Sequence, residues 1–431
     1  MDSIVTQLPN YSSFFRIPYL GLILCCGRHS HTTADKAQSI RQCKFIGDQL
    51  QRMPNGLLVL HLDVNKTLIM SDGASGKSDP KAMINSLLTE AVWGSIRSDT
   101  SKETRTVDDW TLECVEPCVN NPDPAGTWVT FNDFLEVHSL IPKSVYKPLK
   151  QMFTEPGGIG ERCRPYYAEL LAALTVSSGE LSDCPRLHFI LPSVFYMIEE
   201  LTRRGVDFAI IFRTFGHDIR AFAQDWNLFV SGSHPTHPLS NPLPHLHLRL
   251  PHDSCALVRS GTPGGPDEDV FLSHVELDVG VDKSDSDGIV RIIRGAGAVK
   301  NTLIGKFDSE RKRRALFLQD DYTYWANHGE ADNAGKLLLL DPHEVNTDTS
   351  QAAKVHQLFV DDNIERHRAH IVDVRMLQPK MDTSNPQQQK TPETLALGFE
   401  ISQPFLLRAE PIEAITCREY FISKLESRGF I

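Results

Sequence analysis

The sequence predicts an α/β protein built on a doubly wound parallel sheet, and three apolar runs predict it. Leu57-Leu58-Val59-Leu60-His61-Leu62 runs into Asp63, Phe208-Ala209-Ile210-Ile211-Phe212 into Arg213-Thr214, and Leu358-Phe359-Val360 into Asp361-Asp362. Strands buried on both faces of a parallel sheet read as near-continuous apolar runs. Polar side chains at their carboxyl ends sit where open α/β sheets bind ligands. Helical patterns alternate with these runs, as a parallel sheet with crossover helices requires.

The elements follow in order. Residues 1–42 form an N-terminal segment, and the core starts at 43–71 with the strand at 57–62. A stretch over 72–185 intervenes, too long for a loop without structure of its own. Met83, Leu87, Leu88 and Ala91 predict a helix over 81–93. The core resumes over 186–230: Val194, Ile198 and Leu201 share a helix face that Gly205 ends, a strand runs to Phe212, and Ile219, Phe222, Ala223 and Trp226 predict the next helix. A second insertion occupies 231–300, with the alternating run His245-Leu246-His247-Leu248-Arg249-Leu250 read as a strand. Over 301–377 the core returns, with a basic helical stretch near 306–318 and strands at 337–340, 358–360 and 371–374. Residues 378–392 are Pro/Gln-rich and polar, a linker, and the tail to 431 carries one helix near 412–425.

The chain has 431 residues, more than the ~250–300 over which a single core keeps growing. Its net charge of −11 excludes the basic footprint of a nucleic-acid binder. Handling phosphate then demands local neutralisation by a metal ion and one or two cations. The nine cysteines fit no zinc or disulfide spacing, which reads as reduced thiols in the cytoplasm. The apolar run at 17–26 is shorter than the ~20 residues of a spanning helix and lacks a basic start, so no membrane association is expected. Oligomeric state is not legible.

Asp63-Val64-Asn65-Lys66-Thr67 after an apolar strand, Thr214 at the end of a second and the acidic pair Asp361-Asp362 at the end of a third resemble motifs of the haloacid dehalogenase-like hydrolase superfamily. The resemblance covers the core segments, less than half the chain. It implies a Rossmann-like core, with 72–185 as a cap inserted after the first strand. It implies Asp63 as a nucleophile that forms an aspartyl-phosphate, Thr214 as a phosphoryl hydrogen-bond partner, and Lys336 as the cation beside them, with Lys354 as the alternative lysine. It implies Mg²⁺ held by Asp63, the Asn65 carbonyl, Asp361 and Asp362. Thr67, Arg213 and Gly216 are the expected substrate contacts. Mg²⁺ suits the chemistry, because a carboxylate attacking a phosphate needs a cation between the two anions.

Asn65 departs from the family, whose phosphatases carry a second Asp here as general acid and base. An amide does not titrate, and such help is typically worth 10²–10⁴-fold. The leading expectation is a Mg²⁺-dependent phosphohydrolase acting on a small phosphorylated molecule. The alternative is a binding or regulatory protein that kept the fold and lost turnover. Other features carry less. Ser71-Asp72-Gly73-Ala74-Ser75-Gly76-Lys77-Ser78 has a P-loop ending but Ser where the first Gly belongs. His217 flanks the second motif and reads as a substrate contact or as a solvated or ion-paired residue; Asp320, Asp321, Tyr322, Trp325 and His328 precede Lys336 and read as packing or capping residues or as substrate contacts. His234, His237, His245, His247 and His252 lack a zinc spacing.

Overall fold

The computed structural model describes residues 56–70, 79–176, 187–216, 218–273, 292–305, 307, 313–345, 355–365, 368–378 and 393–431. It is a mixed α/β structure around one large, mostly parallel sheet. In chain order its elements are β1 (Leu57–Asp63), α1 (Pro80–Ala91), β2 (Trp93–Ile96), β3 (Trp110–Cys114), β4 (Val129–Thr130), α2 (Phe131–Glu136), α3 (Lys143–Gln151) and α4 (Arg164–Leu174). There follow α5 (Pro192–Arg203), β5 (Phe208–Thr214), α6 (Ile219–Val230), β6 (Ser254–Ser260), β7 (Asp269–Ser273), β8 (Ile293–Arg294), α7 (Ala296–Gly305) and β9 (Ala315–Gln319). The remainder are α8 (Tyr322–Asn327), β10 (Lys336–Leu340), α9 (Pro342–Val345), β11 (Val355–Asp361), β12 (Val372–Leu377), β13 (Thr394–Ala396), α10 (Phe399–Ser402), β14 (Leu406–Arg408), α11 (Pro411–Thr416) and α12 (Tyr420–Ser427).

The central sheet has eight strands in the order β14-β11-β1-β5-β9-β6-β7-β8. The pairings from β14 through to β6 are parallel, and the β6-β7-β8 edge is antiparallel. The period-two alternation of a strand splits β1 between two layers. Leu58, Leu60 and Leu62 pack with α1, α5, α6 and the 110–174 segment, while Val59 packs with α7, Leu316, Leu318 and the apolar side of β10. A small antiparallel sheet, β3-β2-β4, lies within the stretch between β1 and β5. A third sheet, β10-β12-β13, carries Lys336 at the start of β10.

Sequence order reverses across β1. From β1 the chain proceeds one way to β5 and β9, whereas β11 lies on the other side. The crevice at such a switch point is where open α/β sheets bind ligands. Asp63 ends β1, Thr214 ends β5 and Asp361 ends β11, so three strand ends meet there.

Four expectations are corrected. Residues 245–250 do not form a strand: a 3-10 turn covers Pro244–Leu246, and Asn227 serves the Leu248 backbone through both its amide groups at 2.8 and 2.9 Å. The alternation is real, with Leu246 and Leu248 buried, but flanking prolines deny the segment a ladder. The stretch near 306–318 ends in a strand, β9, buried between β5 and β6, because a short continuous apolar run fits a covered strand as well as a helix. The segment expected as a second insertion supplies β6, β7 and β8 to the edge of the same sheet. The tail adds β14 beside β11 and two short helices, α11 and α12, in place of one.

Candidate active site

The loop after β1 turns tightly, with the Leu68 and Ile69 amides both donating to the Val64 carbonyl. Lys66 sits within it at φ 63°, a left-handed conformation that costs a residue with a Cβ on the order of 1–2 kcal/mol. The turn places Asn65 and Lys66 beside the strand ends. Lys66 Nζ lies 3.6 Å from Glu90 of α1 and 3.9 Å from Asp362.

Asp63, Asp361 and Lys336 meet at the centre. Lys336 Nζ donates to Asp63 Oδ1 at 2.5 Å and to Asp361 Oδ2 at 2.8 Å. All three are buried, at 4%, 0% and 2% exposure, so the pairing is held out of water. Burial works against the lysine's charge, but Asp361, Asp63 and Asp320 outweigh it and raise its pKa. Among the described residues, Asp63, Asp361 and Asp362 form the one acidic, His or Cys cluster whose ligand atoms all lie within 4.8 Å of one another.

Two lysines, Lys336 and Lys66, do not balance its three carboxylates. Burial lifts the Asp63 carboxyl well above its usual range; Lys336 pulls back, while Asp361 and Asp362 push further up. Asp362 is raised to about 7, by burial first, with Lys66 opposing and Asp361 and Glu90 adding to the rise. Hard oxygen donors with surplus negative charge fit a Mg²⁺ ion, which binds through one or two carboxylates.

Thr214 and Asn65 form the second part of the site. Thr214 Oγ1 donates to Asn65 Oδ1 at 2.9 Å, and Asn65 Nδ2 donates to Asp218 Oδ2 at 2.9 Å. The amide is thus engaged at both ends, between the tip of β5 and the start of α6. Gly216 N–H donates to Thr214 Oγ1 at 2.8 Å. A Cβ on Gly216 would stand 3.3 Å from Asp218 Oδ2, 3.3 Å from Thr214 Oγ1 and 3.4 Å from Asn65 Oδ1, so this position wants a hydrogen.

Two expected substrate contacts are corrected. Arg213 points into the protein: its guanidinium makes two bonds to Asp320, at 2.9 and 2.5 Å, one to the Leu337 carbonyl at 3.1 Å and one to His61 Nδ1 at 3.1 Å. Both partners' side chains are 1% exposed, so these donors are spent internally. Neighbours on a strand face opposite ways, and Thr214 holds the site-facing direction. Thr67 is fully buried and acts as a brace, its hydroxyl accepting the Asp362 N–H at 3.2 Å.

Of the remaining expectations, Lys354, His217 and Ser71–Ser78 lie outside the described residues. His234 has both ring nitrogens engaged: Nδ1 accepts from the Thr236 and His237 amides, and Nε2 lies 3.4 Å from Asp225. His237 packs on Phe195 and His188, and burial lowers it to about 4. Asp321 caps α8 by accepting the Tyr324 N–H at 2.9 Å.

Two features had no sequence signal. Asp218 follows Thr214 by four residues, and only its bond to Asn65 marks it. Behind Arg213 runs a buried polar chain in which His61 Nε2 meets Gln357 Oε1 at 3.0 Å and Gln357 Nε2 meets Glu344 Oε1 at 3.0 Å, with Glu344 also paired to Lys300. Burial first, then Arg213, lowers His61 to about 3, so the ring is neutral and Nδ1 accepts from the guanidinium.

No protein-family model, no curated protein and no solved structure matches this chain. No helix among the described residues is long and apolar enough to cross a membrane.

Proposed function

We propose that the chain is a divergent haloacid dehalogenase-like phosphohydrolase that needs Mg²⁺ and acts on a small phosphorylated molecule through Asp63. The observation that carries this is the meeting of Asp63, Asp361 and the Lys336 ammonium at the switch point of a parallel sheet. Three strand ends and a lysine from a second sheet have no common purpose in packing. Each is buried against a desolvation cost that an apolar residue would avoid.

Asp63 attacks phosphorus with a carboxylate oxygen, the ester oxygen leaves, and water then hydrolyses the aspartyl-phosphate. Lys336 holds the Asp63 carboxylate in one orientation and offsets charge on the phosphoryl group. The Thr214 hydroxyl, which donates to Asn65 Oδ1 in the free protein, turns to a phosphoryl oxygen when substrate is bound. Asp63, the Asn65 carbonyl, Asp361 and Asp362 would hold Mg²⁺, whose charge screens the attacking carboxylate from the phosphate. Asn65 cannot carry the leaving group's proton, so the leaving oxygen takes its proton from water, while Asp218 holds the Asn65 amide in place. Residues 79–176, which carry α1 to α4, serve as the cap.

A second interpretation draws on Asn65 itself. Its amide is bonded to both Thr214 and Asp218, which suits a rigid binding site that does not turn over. The two are separated with 4-nitrophenyl phosphate, whose leaving group needs little protonation. The hydrolase predicts turnover that EDTA and Asp63→Asn both abolish. A parent without turnover that gains it in Asn65→Asp means a binding protein.

A further inference from the structure

The backbone leaves Thr214 directly into Phe215, and an aromatic cluster begins there. The Phe215 ring centroid lies 5.1 Å from Lys336 Nζ, so one face of the catalytic ammonium is covered by a ring. Phe215 stacks on Trp325 at 5.4 Å with 15° between planes, and meets Tyr322 edge-on at 5.6 Å. Trp325 in turn meets Tyr322 at 6.2 Å. Tyr322 and Trp325 both belong to α8, which starts just after β9, the strand beside β5. The three rings therefore come from the same carboxyl edge as Asp63.

Packing accounts for part of this cluster. Trp325 is 8% exposed and seats α8 against the sheet. It does not account for Tyr322, which leaves 51% of its surface in water while touching the buried Trp325 and the half-buried Phe215. A single exposed aromatic is ordinary. An exposed aromatic at the outer end of a continuous strip that starts on a phosphate-handling lysine is a platform. Trp325 Nε1, inside the cluster, has no hydrogen-bond partner among the described residues, although buried indole N–H groups usually find one.

We propose that Phe215 and Tyr322 form a stacking wall beside the site, and that the phosphorylated substrate carries a planar aromatic or heteroaromatic ring, as nucleoside monophosphates and aryl phosphates do. The ring stacks on the wall while the phosphoryl group lies by Asp63 and Lys336. Offset or edge-on ring contacts are the favoured geometries, and every heteroaromatic base has a face to offer. This rests on the phosphohydrolase interpretation for its reaction, but not for its binding.

The test compares kcat/KM of the full chain with Mg²⁺ on adenosine monophosphate and phenyl phosphate against ring-free glycerol 3-phosphate. The parent is expected to prefer the ring-bearing esters. Tyr322→Leu is expected to lower that preference about tenfold, chiefly through KM, and Tyr322→Phe to keep it. In parallel, calorimetry measures adenosine monophosphate binding to Asp63→Asn, and the expected Kd rises about tenfold when Tyr322→Leu is added. A preference that is absent in the parent, or indifferent to Tyr322→Leu, overturns the wall, and hydrolysis dependent on Asp63 then leaves the catalytic proposal standing. If hydrolysis is absent but Tyr322-dependent binding remains, the catalytic proposal fails and the wall survives. Absence of both hydrolysis and binding overturns both.

Discussion

Replacing Asp320 by alanine removes the carboxylate that faces the Arg213 guanidinium, and the cost follows from the geometry around it. Both side chains are 1% exposed and the pair is bidentate, so Asp320→Ala strands a full positive charge away from water. The remaining acceptors, the Leu337 carbonyl and His61 Nδ1, are neutral and already in use. Breaking a buried pair from one side costs about 3–5 kcal/mol, whereas replacing both partners with apolar residues is often neutral. We therefore expect Asp320→Ala and Arg213→Leu each to lose several kcal/mol, and Asp320→Leu with Arg213→Leu to lose less than either. Urea unfolding followed by far-UV circular dichroism reads this as a shift in midpoint at constant m. A double variant as unstable as the sum of the singles would show that the pair is not the unit of stability. An Arg213→Leu protein of normal stability whose KM rises would show that the guanidinium faces substrate after all.

Three other predictions follow from the same geometry. His61 is lowered to about 3 in the fold, against 6.5 for an ordinary histidine, so between those values the unfolded chain binds the extra proton. Stability should be fully present above pH 6.5 and fall as the pH drops towards 3, by at most about 1.4 kcal/mol per unit from this group, and urea midpoints of His61→Gln should show a shallower slope. Mg²⁺ should bind with release of protons and tighten as pH rises towards about 7, because Asp362 is raised to about 7 and must ionise to act as a ligand; calorimetry in buffers of different ionisation heat measures this, and Asp361→Asn should abolish the heat. Gly216→Ala should leave stability within about 1 kcal/mol but lower turnover about tenfold, since its methyl group crowds Thr214, Asn65 and Asp218; a rate equal to the parent's would show that this contact does not matter.

How much of this was legible depends on what kind of signal each part leaves. β1, β5 and β11 are buried on both faces, so their apolar runs stand out, and a polar residue at the end of such a run is conspicuous. That was enough to bring Asp63, Thr214 and Asp361 to one edge. Lys336 was found through resemblance alone, since a lysine opening a strand in a different sheet has no pattern of its own. β9 was misread because Ala315-Leu316-Phe317-Leu318 is too short to show a period. β14 has three residues and reads as tail. Side-chain direction was the costlier miss: strand alternation already required Arg213 and Thr214 to face opposite ways, so both could not meet substrate. Asp218 and the His61–Gln357–Glu344 chain leave no trace in sequence, because each is defined by a partner far along the chain.

The order of strands across the central sheet has a consequence for synthesis. β1 emerges from the ribosome first, but its β11 neighbour follows nearly three hundred residues later, and β14 covers the β11 edge later still, where Ala409 N–H reaches the Asp361 carbonyl at 3.0 Å. Until then the growing chain carries an apolar ribbon with one open side, the kind of edge on which nascent proteins stick to one another. Holding that ribbon soluble falls to whatever shields it during translation, and no fragment stopping short of residue 361 can assemble the three carboxylates.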